Sequence, residues 1–167
     1  GLAFWFLNQA PVGMIAGTTL GIPPTASGLM IAFDTFLNNP LCVSDVPAIQ
    51  VLNSTNGYAE CHPDIVIRNN SGNDLNFIRR DAYNSARIIY NNGNVQVLLK
   101  RAPTFFNPNP PFSVFMNEAI APITFSGYFG FSASTGWAYD RQSIKNVKIF
   151  SNAVSSDAGN DVSSVDL

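Results

Sequence analysis

The residues best suited to chemistry lie in Ala32-Phe33-Asp34-Thr35-Phe36-Leu37-Asn38-Asn39, followed by Asp45. A hard cation such as Ca²⁺ takes carboxylate, amide and backbone oxygens. Asp34 and Asp45 supply carboxylates and Asn38 an amide, and the Phe36 carbonyl falls between Asp34 and Asn38. The same stretch also reads as an apolar strand running into an Asx-rich turn. Both readings stand on these residues alone.

Other constellations carry less. His62, the only histidine, sits beside Asp64, but no activated nucleophile accompanies them and a solvated histidine is the plainer reading. Glu60 and Glu118 are the only glutamates. Sugar hydrolysis usually needs two acidic residues flanking the bond, and the Glu-x-Asp-x-x-Glu pattern of sandwich glucanases is absent, so no catalytic residue is assigned. Cys42 and Cys61 form either one disulfide over a short loop or a pair of thiols; the disulfide is the expectation. With one histidine, a four-ligand zinc site cannot be assembled around them. Arg79-Arg80 and Lys100-Arg101 read as solvated strand ends. Trp137 and Tyr139 could stack on sugar rings or cover a sheet edge. Asn53-Ser54-Thr55 and Asn69-Asn70-Ser71 match the N-glycosylation pattern, which an Asn-rich chain also yields by chance.

The elements that must position these residues are strands. The chain has 167 residues, one domain's worth, with 46% hydrophobic and 12% aromatic residues, enough for a core. Charged residues make up only 12% and the net charge is -2, which disfavours nucleic acid, whose partners need a basic face. Asn, 12 Gly and 11 Pro supply turns instead. No apolar run approaches the roughly 20 residues of a membrane helix.

Asn94–Lys100 and Ala86–Tyr90 alternate with period two, and Asn92-Gly93 between them predicts a tight hairpin. Leu29–Asp34, Ala48–Asn53, Asp64–Asn69, Leu75–Arg79, Ile123–Ser134 and Ile144–Phe150 also read as strands. Ser113–Ile120 is one helical turn or a short strand, and Ala102–Phe112, with four prolines, is a surface loop. Residues 1–151 are expected to form one β-sandwich. Residues 152–167 are expected to be a linker, with Val162–Leu167 opening a further module. The chain opens inside an apolar run without an initiator Met, so it reads as an excised domain.

Four stretches form an ordered series: Gly1–Leu7, Gly17–Ile22, Phe33–Asn38 and Gly130–Gly136. In that order and at those separations they resemble the L-type (legume-type) lectin family. The resemblance implies an all-β, two-sheet antiparallel β-sandwich of the jelly-roll, concanavalin A-like type, here lacking its N-terminal strand or strands. It implies a non-enzymatic carbohydrate-binding module with Asp34, the Phe36 carbonyl, Asn38 and Asp45 as calcium ligands. It makes Phe36, Asn38, Gly17, Thr18, Thr19, Leu20, Gly136, Trp137, Ala138 and Tyr139 the saccharide site. Ala32 and Ala48 stand where plant members place an acidic residue and a histidine, so no transition metal is expected.

Leu75–Arg79, Ala86–Tyr90, Asn92-Gly93 and Ser143–Val147 make the chain similar to lectin-like domains of secreted bacterial surface proteins. The ER–Golgi cargo-receptor lectins are more distant look-alikes. The resemblance therefore implies an extracellular or cell-surface location, a glycan partner and a larger multidomain parent, with a tail like the start of an immunoglobulin-like module. The alternatives are a structural or adhesive sandwich that lost the site, and an accessory module of a glycan-processing enzyme.

Overall fold

The computed structural model describes residues 1–13, 15, 17–43, 45–68, 75–136 and 141–150, and the backbone of 163–166. Trp137, Ala138 and Tyr139, the linker at 152–162 and the second glycosylation pattern lie outside the described residues. The chain is all-β, with two antiparallel five-stranded sheets, the make-up of the expected sandwich class. Among the described residues no helix is long and apolar enough to cross a membrane.

The chain divides into two compact units, residues 1–79 with 123–142, and residues 80–122 with 143–167. In the first, β1 (Leu2–Leu7), β2 (Gly28–Asp34), β3 (Ala48–Ser54) and β4 (Val66–Arg68) are joined by β8 (Tyr128–Ala133) in the order β4-β3-β2-β1-β8. In the second, β5 (Ser85–Asn91), β6 (Asn94–Lys100) and β7 (Ser113–Ala119) join β9 (Lys148–Phe150) and β10 (Ser163–Asp166) in the order β7-β6-β5-β10-β9. Ser163–Asp166 thus pairs with β5 and β9.

All seven residues of β2 are buried, which is why its sequence runs apolar without alternation. The register sets Ala32 opposite Gln50 and Ala3, and Met30 opposite Leu52 and Trp5. Ala3, Trp5, Leu7, Met30, Ala32 and Leu52 therefore share one face. Leu20, Ile22, Ala26 and Tyr58, from the loops after β1 and β3, complete a buried cluster with them. Those loops carry candidate site residues, so core packing and site placement are one event.

Leu75–Arg79 is not a strand: Asn76–Arg79 is a 3-10 helix. The Ile78 N–H donates to the Leu75 carbonyl at 3.0 Å, with Leu75 and Phe77 buried. So short an apolar segment has no periodicity by which to separate helix from strand. Ser113–Ala119 is a strand, resolving the open alternative. Asn92 and Gly93 take φ of 42° and 83° between the paired Asn91 and Asn94, the positive values that the Asn-Gly turn predicts.

Cys42 and Cys61 form a disulfide with Cα atoms 5.2 Å apart and a sequence separation of 19. Replacing both by Ser should lower unfolding free energy by about 3 kcal/mol, the loop-closure value for this size of ring, readable as a drop in denaturation midpoint. Gly130 faces Trp5 in the register, and a Cβ there would overlap the indole. Gly130→Ala should destabilise by on the order of 1–3 kcal/mol through overpacking, with Trp fluorescence reporting the displaced ring.

Candidate functional site

Asp34 is the last residue of β2, on the clustered face, and is only 1% exposed. Its two oxygens are engaged separately. The Phe36 N–H donates to Oδ1 at 3.1 Å, and the Gln50 side-chain amide donates to Oδ2 at 3.2 Å. The first bond is the Asx turn that stops the strand. The Tyr58 hydroxyl in turn donates to the Gln50 side-chain oxygen. Burial, then the charges of Asp34 and Glu60, push the Tyr58 hydroxyl far above its ordinary pKa, so it stays a donor.

The turn delivers Phe36, about 40% exposed, and Asn38 to the surface. The Asn38 amide reaches the Phe36 carbonyl at 3.4 Å and donates to Glu60 Oε1 at 2.5 Å. Glu60 is buried, close enough to Asp34 to feel its charge. Desolvation, opposed by the Asn38 bond and reinforced by the Asp34 charge, holds Glu60 above the ordinary carboxylate range. Glu60 precedes Cys61, whose sulfur accepts from the Asn39 side-chain amide at 3.3 Å. The disulfide thus brings Glu60 to the Asn38 turn.

One open cleft is lined by Gly17, Leu20, Asp34, Phe36, Asn38 and Gly136, together with Gly1, Thr35, Arg79, Ser134 and Thr135. Three loops distant in sequence meet there. The Ser134 hydroxyl donates to the Gly17 carbonyl at 2.5 Å, and the Ser134 N–H donates to the Gly1 carbonyl at 3.2 Å. Gly17 itself has φ of 94°, and Leu20 takes 54° to turn its side chain into the core. Thr18 and Thr19 line a neighbouring depression with Asn38, Tyr58 and Glu60.

Asp45 is exposed and lines neither hollow. Glu60, which the sequence did not single out, is the carboxylate that accepts from Asn38. The residues gathered at this point offer only oxygen donors suited to a cation: two carboxyls, the Asn38 amide and the Phe36 carbonyl. That chemistry fits a hard cation. Among the described residues no group of three or more His, Cys, Asp and Glu could hold a metal. A cation here would therefore rely on the amide and carbonyl oxygens.

His62 lies within 3.4 Å of the Ser54 hydroxyl and 3.9 Å of the Asp64 carboxylate. The order Ser, His, Asp is not a working triad. The Asp64 N–H donates to His62 Nδ1 at 3.2 Å, which puts the proton of the neutral ring on Nε2, facing Ser54. A general base for serine needs a free nitrogen there.

Glu60, Gln50, Tyr58 and Arg79 were not legible as site residues from sequence. The available signal for Glu60 was its place next to a bridged cysteine. Gln50, a fully buried polar residue within an apolar strand, had no such marker. A model of the legume-like lectin family matches residues 1–157. No curated protein matches the sequence.

The carboxyl pair gives a pH test. A raised carboxyl pKa means stability present below the ordinary value of 4.5 and lost as pH rises through the shifted one. In calcium-free buffer, Glu60→Gln should therefore gain thermal midpoint over the wild type as pH climbs above about 4.5. The two melting curves should converge in more acidic buffer.

Proposed function

Because the chain belongs to the legume-like lectin family, we propose that it binds a saccharide in the cleft bounded by Gly17, Phe36, Asn38 and Gly136, without cleaving it. The supporting observation is the convergence of those groups on one cleft. A sugar needs an amide that both donates and accepts, free backbone N–H groups and an apolar face for its ring. Asn38 offers the first, and Thr18 and Thr19 of the Gly17–Leu20 loop the second, the Leu20 N–H being spent on the Gly17 carbonyl. Phe36, part-exposed beside them, offers the third. Thr18 and Thr19 extend the surface beyond Asn38, and the Trp137–Tyr139 segment follows directly on Gly136.

In this reading Asp34, the Phe36 carbonyl, Asn38 and Glu60 hold Ca²⁺. Bound there, the ion would neutralise the two carboxyls and stiffen the turn that presents Asn38. The chain's own residues do the recognition. Gln50 and the Phe36 N–H keep Asp34 in one orientation, and Tyr58 keeps Gln50 so. Asp45 has no part in the ligand set. All-oxygen donors disfavour the softer transition metals. The disulfide is compatible with an extracellular or cell-surface protein, which is the location we assign.

Two measurements test the reading. On a glycan array the wild type should give signals that a calcium chelator removes. Asn38→Ala should lose them while keeping its melting temperature within a few degrees, because its partners are loop groups. Calcium should raise the wild-type midpoint and leave that of Glu60→Gln unmoved. Glycan binding that survives both chelator and Asn38→Ala would place the site elsewhere.

A further inference from the structure

Arg79 lines the same cleft as Phe36 and Asn38 and is its one cationic side chain among the described residues. We infer that Arg79 makes this cleft selective for saccharides bearing a carboxylate, such as hexuronic or sialic acids. The inference rests on the proposed saccharide site and deepens it.

Its position is built. Arg79 ends the 3-10 helix Asn76–Arg79. Leu75 and Phe77, 0% and 4% exposed, peg that segment into the protein. The guanidinium is then tied by Nη2, which donates to the Thr35 carbonyl at 2.6 Å. Thr35 lies between Asp34 and Phe36, so this bond couples the cation to the turn that shapes the cleft. A long side chain fixed at both ends loses little further freedom on meeting a ligand.

Its valence is unspent. A guanidinium carries five N–H groups in a planar fork, and the Thr35 bond uses one. Among the described residues no carboxylate pairs with it: Asp34 is engaged by Phe36 and Gln50, and Glu60 by Asn38. Arg79 itself is exposed, on the wall of the cleft. A neutral sugar would face this fork with hydroxyls only. A sugar carboxylate meets it with two parallel charge-assisted bonds, which are shorter and about twice as strong as neutral ones. Lysine could match the charge but not the planar geometry.

The test compares matched ligands by calorimetry in calcium-containing buffer. The probes are the methyl glycosides of glucuronic, galacturonic and N-acetylneuraminic acid, each against its carboxamide, with the corresponding 6-sulfated hexosides alongside. For the acid that binds best, the wild type should prefer carboxylate over carboxamide by about tenfold or more, as one charge-assisted pair supplies. That ratio should shrink as salt is raised. In Arg79→Gln, which keeps a donor for Thr35, the ratio should fall toward one. In Arg79→Lys it should be intermediate.

Equal affinity for acid and amide in the wild type, or a ratio unchanged in Arg79→Gln, overturns the role of Arg79 and leaves the saccharide site standing. A sulfated sugar that outbinds every carboxylate overturns the carboxylate assignment. If neither acids, amides nor neutral hexosides bind the wild type, the saccharide reading fails and this inference with it.

Discussion

A carboxylate withdrawn from water is the constraint on which the site depends. Asp34 sits at the end of a strand with every residue buried. A buried polar group without partners is costly, so the surroundings are built to satisfy it. One oxygen is met by the backbone two residues on, which ends β2 and turns Phe36 outward. The other is met by Gln50 from the adjacent strand, itself held by Tyr58. Satisfying one carboxylate thus shapes the turn, orders a buried polar network and aims the exposed groups.

The second layer comes from covalent closure. The loop after β3 has few reasons of its own to lie against the Asn38 turn. The Cys42–Cys61 bridge supplies one, and Asn39 adds a contact to the Cys61 sulfur. Glu60 is carried in as the neighbour of Cys61. It then sets a second carboxyl against the first, in a place where like charges repel unless a proton or a cation intervenes. The same geometry is a source of instability in the bare chain, and under the proposed function it is what a bound hard ion would relieve.

Much of the architecture was legible in the residues. The apolar run of β2 up to Asp34, the Asn92-Gly93 hairpin and the Gly, Pro and Asn punctuation all act locally, through side-chain periodicity and φ preference. The family motifs at Gly1–Leu7, Phe33–Asn38 and Gly130–Gly136 each contain strand, and Gly17–Ile22 is a turn with positive φ at Gly17, Leu20 and Gly21. Leu75–Arg79 misled, since its buried Leu75 and Phe77 suit a strand's alternation as well as a 3-10 turn.

The sequence by itself determined most of the strands, the hairpin at Asn92-Gly93 and the turn that carries Asp34, Phe36 and Asn38. Those follow from interactions among near neighbours. Only the tertiary structure decided which distant groups join them. Asp45 and Glu60 are both acidic, and proximity along the chain favours Asp45, the nearer to Asn38. The disulfide and the packing of Tyr58 bring Glu60 to the Asn38 amide, while Asp45 lines neither hollow. Arg79 looked like a solvated strand end until the helix pegged by Leu75 and Phe77 and the Thr35 carbonyl placed it in the cleft wall. Spacing encodes local geometry, whereas a site assembled from loops is set by which of them the core draws together.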